Sequence, residues 1–256
     1  MQNLSARFRR RERVIGYWSV LDAPVAVEWL STVGYDYIAV DAQHGLLGYS
    51  GMLADLMAVD AGAQKTGTVG LVRVRANTPA DIGVALDAGA SGVIVPMINS
   101  AEEAKAAVAS AMYPPFGERS FGPMRSRLRI GPEPAVANAN VAVLVMIETA
   151  RGLDHLPEIA AVPGISGLYV GPSDLALGLG ASHPKDPAVA DDFERALVQV
   201  RDVASEVGIA AVIHTPDGRT AHRRLAQGFT GVTIASDLTH LEAAARNHLT
   251  IASATE

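Results

Sequence analysis

Eight times along this chain, a short apolar run rich in β-branched residues is followed by a segment with helical spacing. The runs are Arg13–Leu21, Tyr35–Ala42, Thr68–Arg75, Gly92–Ile98, Val141–Thr149, Ile165–Val170, Gly208–His214 and Gly228–Ala235. They are almost continuously hydrophobic rather than alternating, which is how strands read when a parallel sheet is covered on both faces. The helical candidates between them are Pro24–Ser31, Ser50–Ala63, Thr78–Ala88, Ser100–Met112, Leu153–Ala161, Ala188–Val207, Asp217–Gln227 and Leu238–Leu249. Thr78-Pro79 puts proline at a first helical position, and Ser100 with Glu103 forms a capping-box pattern. Gly89, Gly208 and Gly228 sit just past helix ends. With 256 residues, each unit has about 32, the size of one βα repeat. The order predicts a single α/β domain over residues 1–256, a (β/α)8 TIM barrel. A doubly wound open sheet would carry a glycine-rich phosphate loop after its first strand, and Val20-Leu21-Asp22-Ala23-Pro24 does not supply one.

Composition narrows the function classes. The formal net charge is −6, so no global basic field exists to hold nucleic acid or an anionic membrane. Cysteine is absent, which excludes disulfides, thiolate nucleophiles and Cys-ligated zinc. No apolar run nears the roughly 18 residues that a membrane span needs. The N-terminus lacks the hydrophobic stretch of a secretory signal, so a cytoplasmic location is expected. The arginines at 7, 9, 10, 11 and 13 are read as part of a solvated segment, residues 1–13, closing the bottom of the barrel, rather than as a nucleic-acid arm. The last helix, 238–249, ends the domain. Two stretches lack a clean period: Tyr113–Asn140, a candidate interface or pocket-closing segment, and Leu177–Pro187, a candidate lid.

In such a barrel the chemistry gathers where the strands end. Those ends carry Trp18, Asp41 and His44, Arg73, Glu148, Gly171-Pro172-Ser173-Asp174, His214, and Ser236 with Asp237. A charge inside or just beyond a buried strand is costly unless it is paired or binds a ligand, so Arg73 and Glu148 are the most informative. Glu148 and Asp174 come from adjacent strands and would make a hard oxygen site suited to Mg²⁺ or Mn²⁺, with Co²⁺ an alternative. Otherwise Glu148 would pair with Arg73 or Arg151, and Asp174 would cap the following helix. The amides of Gly171–Asp174 offer a seat for a small carboxylate. His44 and His214 compete for proton transfer. The only lysines, Lys65, Lys105 and Lys185, fall in a loop, mid-helix and in the irregular stretch, which argues against imine chemistry.

In order along the chain stand YDYIAVDAQHG, LVRV, YPPFGERSFG, VLVMIET and YVGPSDLALGLG. Together they resemble the HpcH/HpaI aldolase family over roughly Val14 to Leu249: metal-dependent pyruvate aldolases of the phosphoenolpyruvate/pyruvate superfamily. The resemblance implies cleavage of 4-hydroxy-2-oxo acids to pyruvate, or hydroxypyruvate, and an aldehyde. It implies a divalent metal on Glu148 and Asp174. Ser173, Asp174 and the amides near Gly171 and Pro172 would hold the 2-oxo acid. Arg73 would stabilise the transition state and His44 would accept the proton, with Asp41 grouped in the catalytic set. Asp87 would raise the basicity of His44, from its own or a neighbouring subunit. Trp18 and Val212 would line the aldehyde pocket, and the assembly would be a homo-oligomer, a hexamer. Met146 stands where some members carry a substrate-touching Gln, and Asp41-Ala42-Gln43-His44 where many read DGEH, which leaves acceptor preference open. The other readings are an oxaloacetate decarboxylase or CoA-thioester lyase on the same barrel, or a non-catalytic 2-oxo acid binder.

Overall fold

The computed structural model describes residues 3–254. Eight parallel strands close a barrel in chain order: β1 (Val14–Ser19), β2 (Tyr37–Asp41), β3 (Val69–Arg73), β4 (Gly92–Val95), β5 (Ala142–Ile147), β6 (Gly167–Val170), β7 (Ala210–Thr215) and β8 (Gly231–Ile234). Around them run α1 (Leu4–Arg9), α2 (Pro24–Ser31), α3 (Tyr49–Gly62), α4 (Pro79–Asp87), α5 (Ala101–Ala111) and α6 (Pro134–Asn140). The ring continues with α7 (Ala150–Asp154), α8 (Leu156–Ala160), α9 (Pro172–Gly178), α10 (Ala190–Val207), α11 (Gly218–Ala226) and α12 (Asp237–Ala252). The helix expected over Leu153–Ala161 is two short helices that meet at His155, where Pro157 can begin a helix but cannot continue one. Thr78 and Ser100 cap α4 and α5 as their sequences require.

Strand side chains alternate between two cores. Outward residues such as Val40, Val72, Val143, Val170 and Val232 pack under the helices. Inward residues stack inside the barrel: Val14 and Trp18, Tyr37 and Ala39, Val69 and Leu71, Ala142, Leu144 and Met146, Tyr169, Ala210 and Val212. Tyr37 and Tyr169 fill the middle, and both hydroxyls meet Thr233 Oγ1, at 2.5 and 2.8 Å. Gly16 makes this possible, because a Cβ there would stand 2.2 Å from the Tyr37 ring. The inward series then reaches the C-terminal rim at Trp18, Asp41, Arg73, Glu148, Gly171 and His214, each two residues beyond an inward core position.

The opposite end is plugged by α1, whose Leu4 and Phe8 are buried with Val14 and Tyr37. Its arginines are used within the chain: Arg7 pairs with Asp36 and Glu12, Arg9 reaches Ser5 and Ala139, and Arg11 reaches Ser205. The segment 113–140 lies along the outside of the barrel, anchored by Arg119 to Asp87, by Arg125 and Arg129 to Asp60, and by Asn138 to the Tyr113 backbone. It does not line the mouth of the barrel. No helix among the described residues is long and apolar enough to cross a membrane.

One buried acid in α3 is unsupported. Asp55 is wholly buried and neither carboxyl oxygen has a hydrogen-bond partner among the described residues. Burial, with Asp22 and Asp237 nearby, pushes its carboxyl up to about 7. An acid whose pKa is raised by folding contributes stability that is complete below its unfolded value, near 4, and lost as pH rises through the folded value. Because that loss runs between about pH 4 and 7, Asp55→Asn is expected to gain on wild type as pH rises, by on the order of 2–3 kcal/mol more at pH 8 than at pH 5, several degrees in Tm. Calorimetry at both pH values checks this; an equal difference at the two would reject it.

Candidate active site

Strand register builds the centre of the site. Asp41 and Arg73 are direct partners across β2 and β3, so both side chains enter the mouth together. Arg73 donates from Nε to Asp41 Oδ1 at 2.9 Å and from Nη2 to Oδ2 at 2.5 Å, a two-pronged, charge-assisted pair. Asp41 Oδ1 also accepts the backbone N–H of Gln43 and of His44, and Oδ2 accepts the Trp18 indole N–H at 3.2 Å. Burial alone would push the Asp41 carboxyl up, but the Arg73 guanidinium and these donors outweigh it and hold it below the usual carboxylate range. Asp41 thus aims Arg73 and folds the loop that carries His44, with little capacity left to handle a proton. Arg73 lies over the Trp18 ring at 4.9 Å, and its Nη1 has no hydrogen-bond partner among the described residues. That edge is available to an oxygen in the cavity.

Glu148 follows β5 directly and is 2 % exposed. It pairs with neither Arg73 nor Arg151: Oε1 accepts the Met97 N–H at 2.7 Å, and Oε2 is buried with no hydrogen-bond partner among the described residues. Burial first, then the charge of Asp174, push its carboxyl up despite the Met97 hydrogen bond. Asp174 lies in the first turn of α9, whose N-cap is Gly171; it makes no capping bond and is exposed to the cavity. Gly171 leaves room for Glu148, since a Cβ there would lie 2.4 Å from Glu148 Oε2. An orphaned, buried carboxylate oxygen beside a second carboxylate, in a notch only glycine leaves open, fits a hard divalent cation. No set of three or more His, Cys, Asp or Glu that could hold a metal occurs among the described residues. Two carboxylates alone would leave positions for substrate and water, as magnesium-type sites do.

Beside these groups lies a cavity of about 290 Å³ lined by Trp18, His44, Arg73, Met146, Gly171, Pro172, Ser173, Asp174 and His214 among others, with Asp41 and Glu148 behind that lining. Most of the residues expected at the site therefore meet. Val212 does not: it is wholly buried one layer down, and His214, two residues on along the same face, takes its place at the mouth. Asp87 does not either; it ends α4 at the opposite end of the barrel and pairs with Arg119 at 2.6 Å. His214 stands edge-on to Trp18 at 5.3 Å, and burial with the Arg73 charge lowers it to about 4. Its burial disfavours the charged imidazolium, which argues against it as the group that takes the proton. Sequence reasoning missed the Met97 amide. Met97 adopts a left-handed backbone (φ 58°), a strained state for a side-chain-bearing residue, and no motif announces it.

A profile of the HpcH/HpaI aldolase/citrate lyase family matches residues 14–244, and the chain belongs to that family. It is an enzyme, a carbon–carbon lyase of the aldolase type. It is 39% identical over 230 residues to the hydroxypyruvate/pyruvate aldolase of Rhizorhabdus wittichii, covering 90% of each chain. It is 36% identical over 231 residues to the 5-keto-4-deoxy-D-glucarate aldolase of Shigella dysenteriae, covering 88% of this chain and 86% of the relative. The crystal structure of a family member from Burkholderia cenocepacia superposes with a TM-score of 0.88 at 31% identity, covering 99% of this chain and 100% of that one.

Proposed function

We propose that this enzyme catalyses the reversible aldol addition of pyruvate or hydroxypyruvate to an aldehyde, with Mg²⁺ or Mn²⁺ on Glu148 and Asp174. The observation that carries the reading is the partnerless, buried Oε2 of Glu148, near the charge of Asp174 and in the notch that Gly171 leaves open. Bound there, a divalent cation supplies Lewis-acid polarisation of the 2-oxo carbonyl. The N–H groups of Ser173 and Asp174, free of helical partners in the first turn of α9, seat the substrate carboxylate. Arg73 Nη1 donates to the C2 oxygen, more strongly as that oxygen gains negative charge. In cleavage, His44 takes the proton of the C4 hydroxyl. The C3–C4 bond breaks, its electron pair passes into the enolate of the 2-oxo acid, and the aldehyde leaves; protonation at C3 completes turnover. Synthesis runs the same steps backwards, with His44 returning the proton.

Asp41 acts here as a positioning residue for Arg73 and His44. Any influence of Asp87 on His44 comes from a neighbouring subunit. The exposed apolar residues of α12 (Leu241, Leu249, Ile251) and of the outer segment (Phe116, Phe121, Met124) support a homo-oligomer, with the hexamer as its expected size. Chelation is the test. EDTA should abolish pyruvate release from a 4-hydroxy-2-oxo acid, and Mg²⁺ or Mn²⁺ should restore it. Full activity in metal-free protein, or borohydride trapping of pyruvate on a lysine, would overturn the proposal. Oxaloacetate and CoA thioesters in the same assay separate the decarboxylase and CoA-lyase readings.

A further inference from the structure

Among the described residues, the Glu148 carboxylate is fixed by a single hydrogen bond, from the N–H of Met97. The backbone that presents this N–H is left-handed (φ 58°), a state that a residue with a side chain adopts at a cost. The loop between β4 and α5 holds it there by spending its polar groups one after another. Met97 N–H goes to Glu148 Oε1 at 2.7 Å, Ile98 N–H to the Met146 carbonyl at 3.2 Å, and Asn99 N–H to Glu103 Oε2 at 2.6 Å. Ser100 caps α5 by accepting the Glu103 N–H, so the Glu103 carboxylate ties Asn99 to the first turn of that helix. From this anchor the Asn99 side chain reaches both sides of Glu148. Its Nδ2 donates to the Met97 carbonyl at 2.8 Å, and its Oδ1 accepts the Thr149 hydroxyl. Thr149 follows Glu148 in the chain and caps α7. Gly152 lets the loop lie this close to α7, because a Cβ there would stand 2.9 Å from the Ile98 carbonyl oxygen and 3.7 Å from Asn99 Oδ1.

We propose that Asn99 is a positioning residue for the cation site: it holds the Met97 peptide in its left-handed state, so that the Met97 N–H keeps Glu148 Oε1 and leaves Oε2 in the notch at Gly171. This role rests on the metal reading above. Without the Asn99 amide, the Met97 backbone relaxes toward an ordinary conformation and its N–H leaves Oε1. The carboxylate then loses its one donor and is free to rotate, and the site is no longer arranged before the ion arrives. Groups that orient a metal ligand in this way are typically worth about 10–100-fold in affinity. Asn99 is not among the residues lining the catalytic cavity, so its effect falls on cation binding before it falls on chemistry.

The test titrates Mn²⁺ into substrate-free protein and reads the free ion by electron paramagnetic resonance, with thermal melting in EDTA to show that each variant folds. Asn99→Leu is similar in size but lacks both polar groups. It should raise the Kd for Mn²⁺ by about tenfold or more, while kcat at saturating Mn²⁺ moves far less. Asn99→Ala, with less bulk to place, should show the same split. Adding Met97→Gly to either should recover the lost affinity several-fold, since glycine takes a left-handed backbone without support and keeps the N–H. Lower melting with a Kd within twofold of wild type marks a merely structural role for Asn99 and overturns the proposal. A loss of affinity that Met97→Gly does not mend overturns it too, because Asn99 would then not act through the Met97 backbone. Wild type that binds no Mn²⁺, or Glu148→Gln that binds it as wild type does, overturns the metal reading as well.

Discussion

Arg73→Ala should lower kcat for C–C cleavage by about 10²–10³, the usual cost of removing a donor aimed at a developing oxyanion. Affinity for Mg²⁺ should change only a few-fold, because Arg73 is not among the metal donors. A second effect comes with the first. Asp41 is buried and its charge is met chiefly by Arg73, so the alanine variant strands a carboxylate. Breaking a buried pair in this way costs about 3–5 kcal/mol, a Tm loss on the order of 10 °C. The two effects separate in the double variant Asp41→Asn with Arg73→Ala, which removes the stranded charge. It should recover most of the lost stability and none of the lost turnover. Steady-state kinetics with saturating Mg²⁺ and calorimetry on the three proteins measure both. Turnover within a few-fold of wild type in the single variant would make Arg73 a structural residue only.

The barrel was legible because one pattern repeats eight times, and each strand's apolar run fixes its position without help from distant residues. The centre of the site was legible for a related reason. Asp41, Arg73 and Glu148 are charges at the ends of otherwise apolar runs, so sequence alone shows that each must be paired or bind something. What sequence does not carry is parity and distance across the fold. Val212 and His214 lie on the same face of β7 two residues apart, and only closure of the barrel decides which reaches the cavity. Asp87 shares its chain with His44, yet the direction of α4 carries it to the far end. A larger cavity beside the site is lined by residues 184–187 with parts of α9, α10 and α11, stretches far apart in sequence and none unusual in composition. Segment 113–140 is irregular because ion pairs to Asp60 and Asp87, rather than a helical or strand period, hold it in place. Asp55 is buried in α3, which the helical spacing of that segment does not announce.

Glu148→Gln should split stability from activity in opposite directions. Without metal, Glu148 is a buried acid with one unpaired oxygen, repelled by Asp174. Glutamine keeps the shape and can still accept from the Met97 amide while removing the charge. The metal-free variant should therefore be at least as stable as metal-free wild type, since burying an unpaired charge is among the costliest things a fold can do. Adding cation should reverse the order. At about a hundred times its dissociation constant, a divalent ion bound only by the folded state stabilises wild type by about 2.7 kcal/mol, roughly 5–10 °C for a chain of this size. The variant, left with Asp174 alone, should show little shift, and its turnover should fall to that of chelated wild type. Thermal shift in EDTA and in Mg²⁺, read beside pyruvate release, checks both halves. A large Mg²⁺ shift retained in the variant would place the cation elsewhere. A metal-free variant much less stable than wild type would mean that the Oε2 charge has a partner within the fold after all.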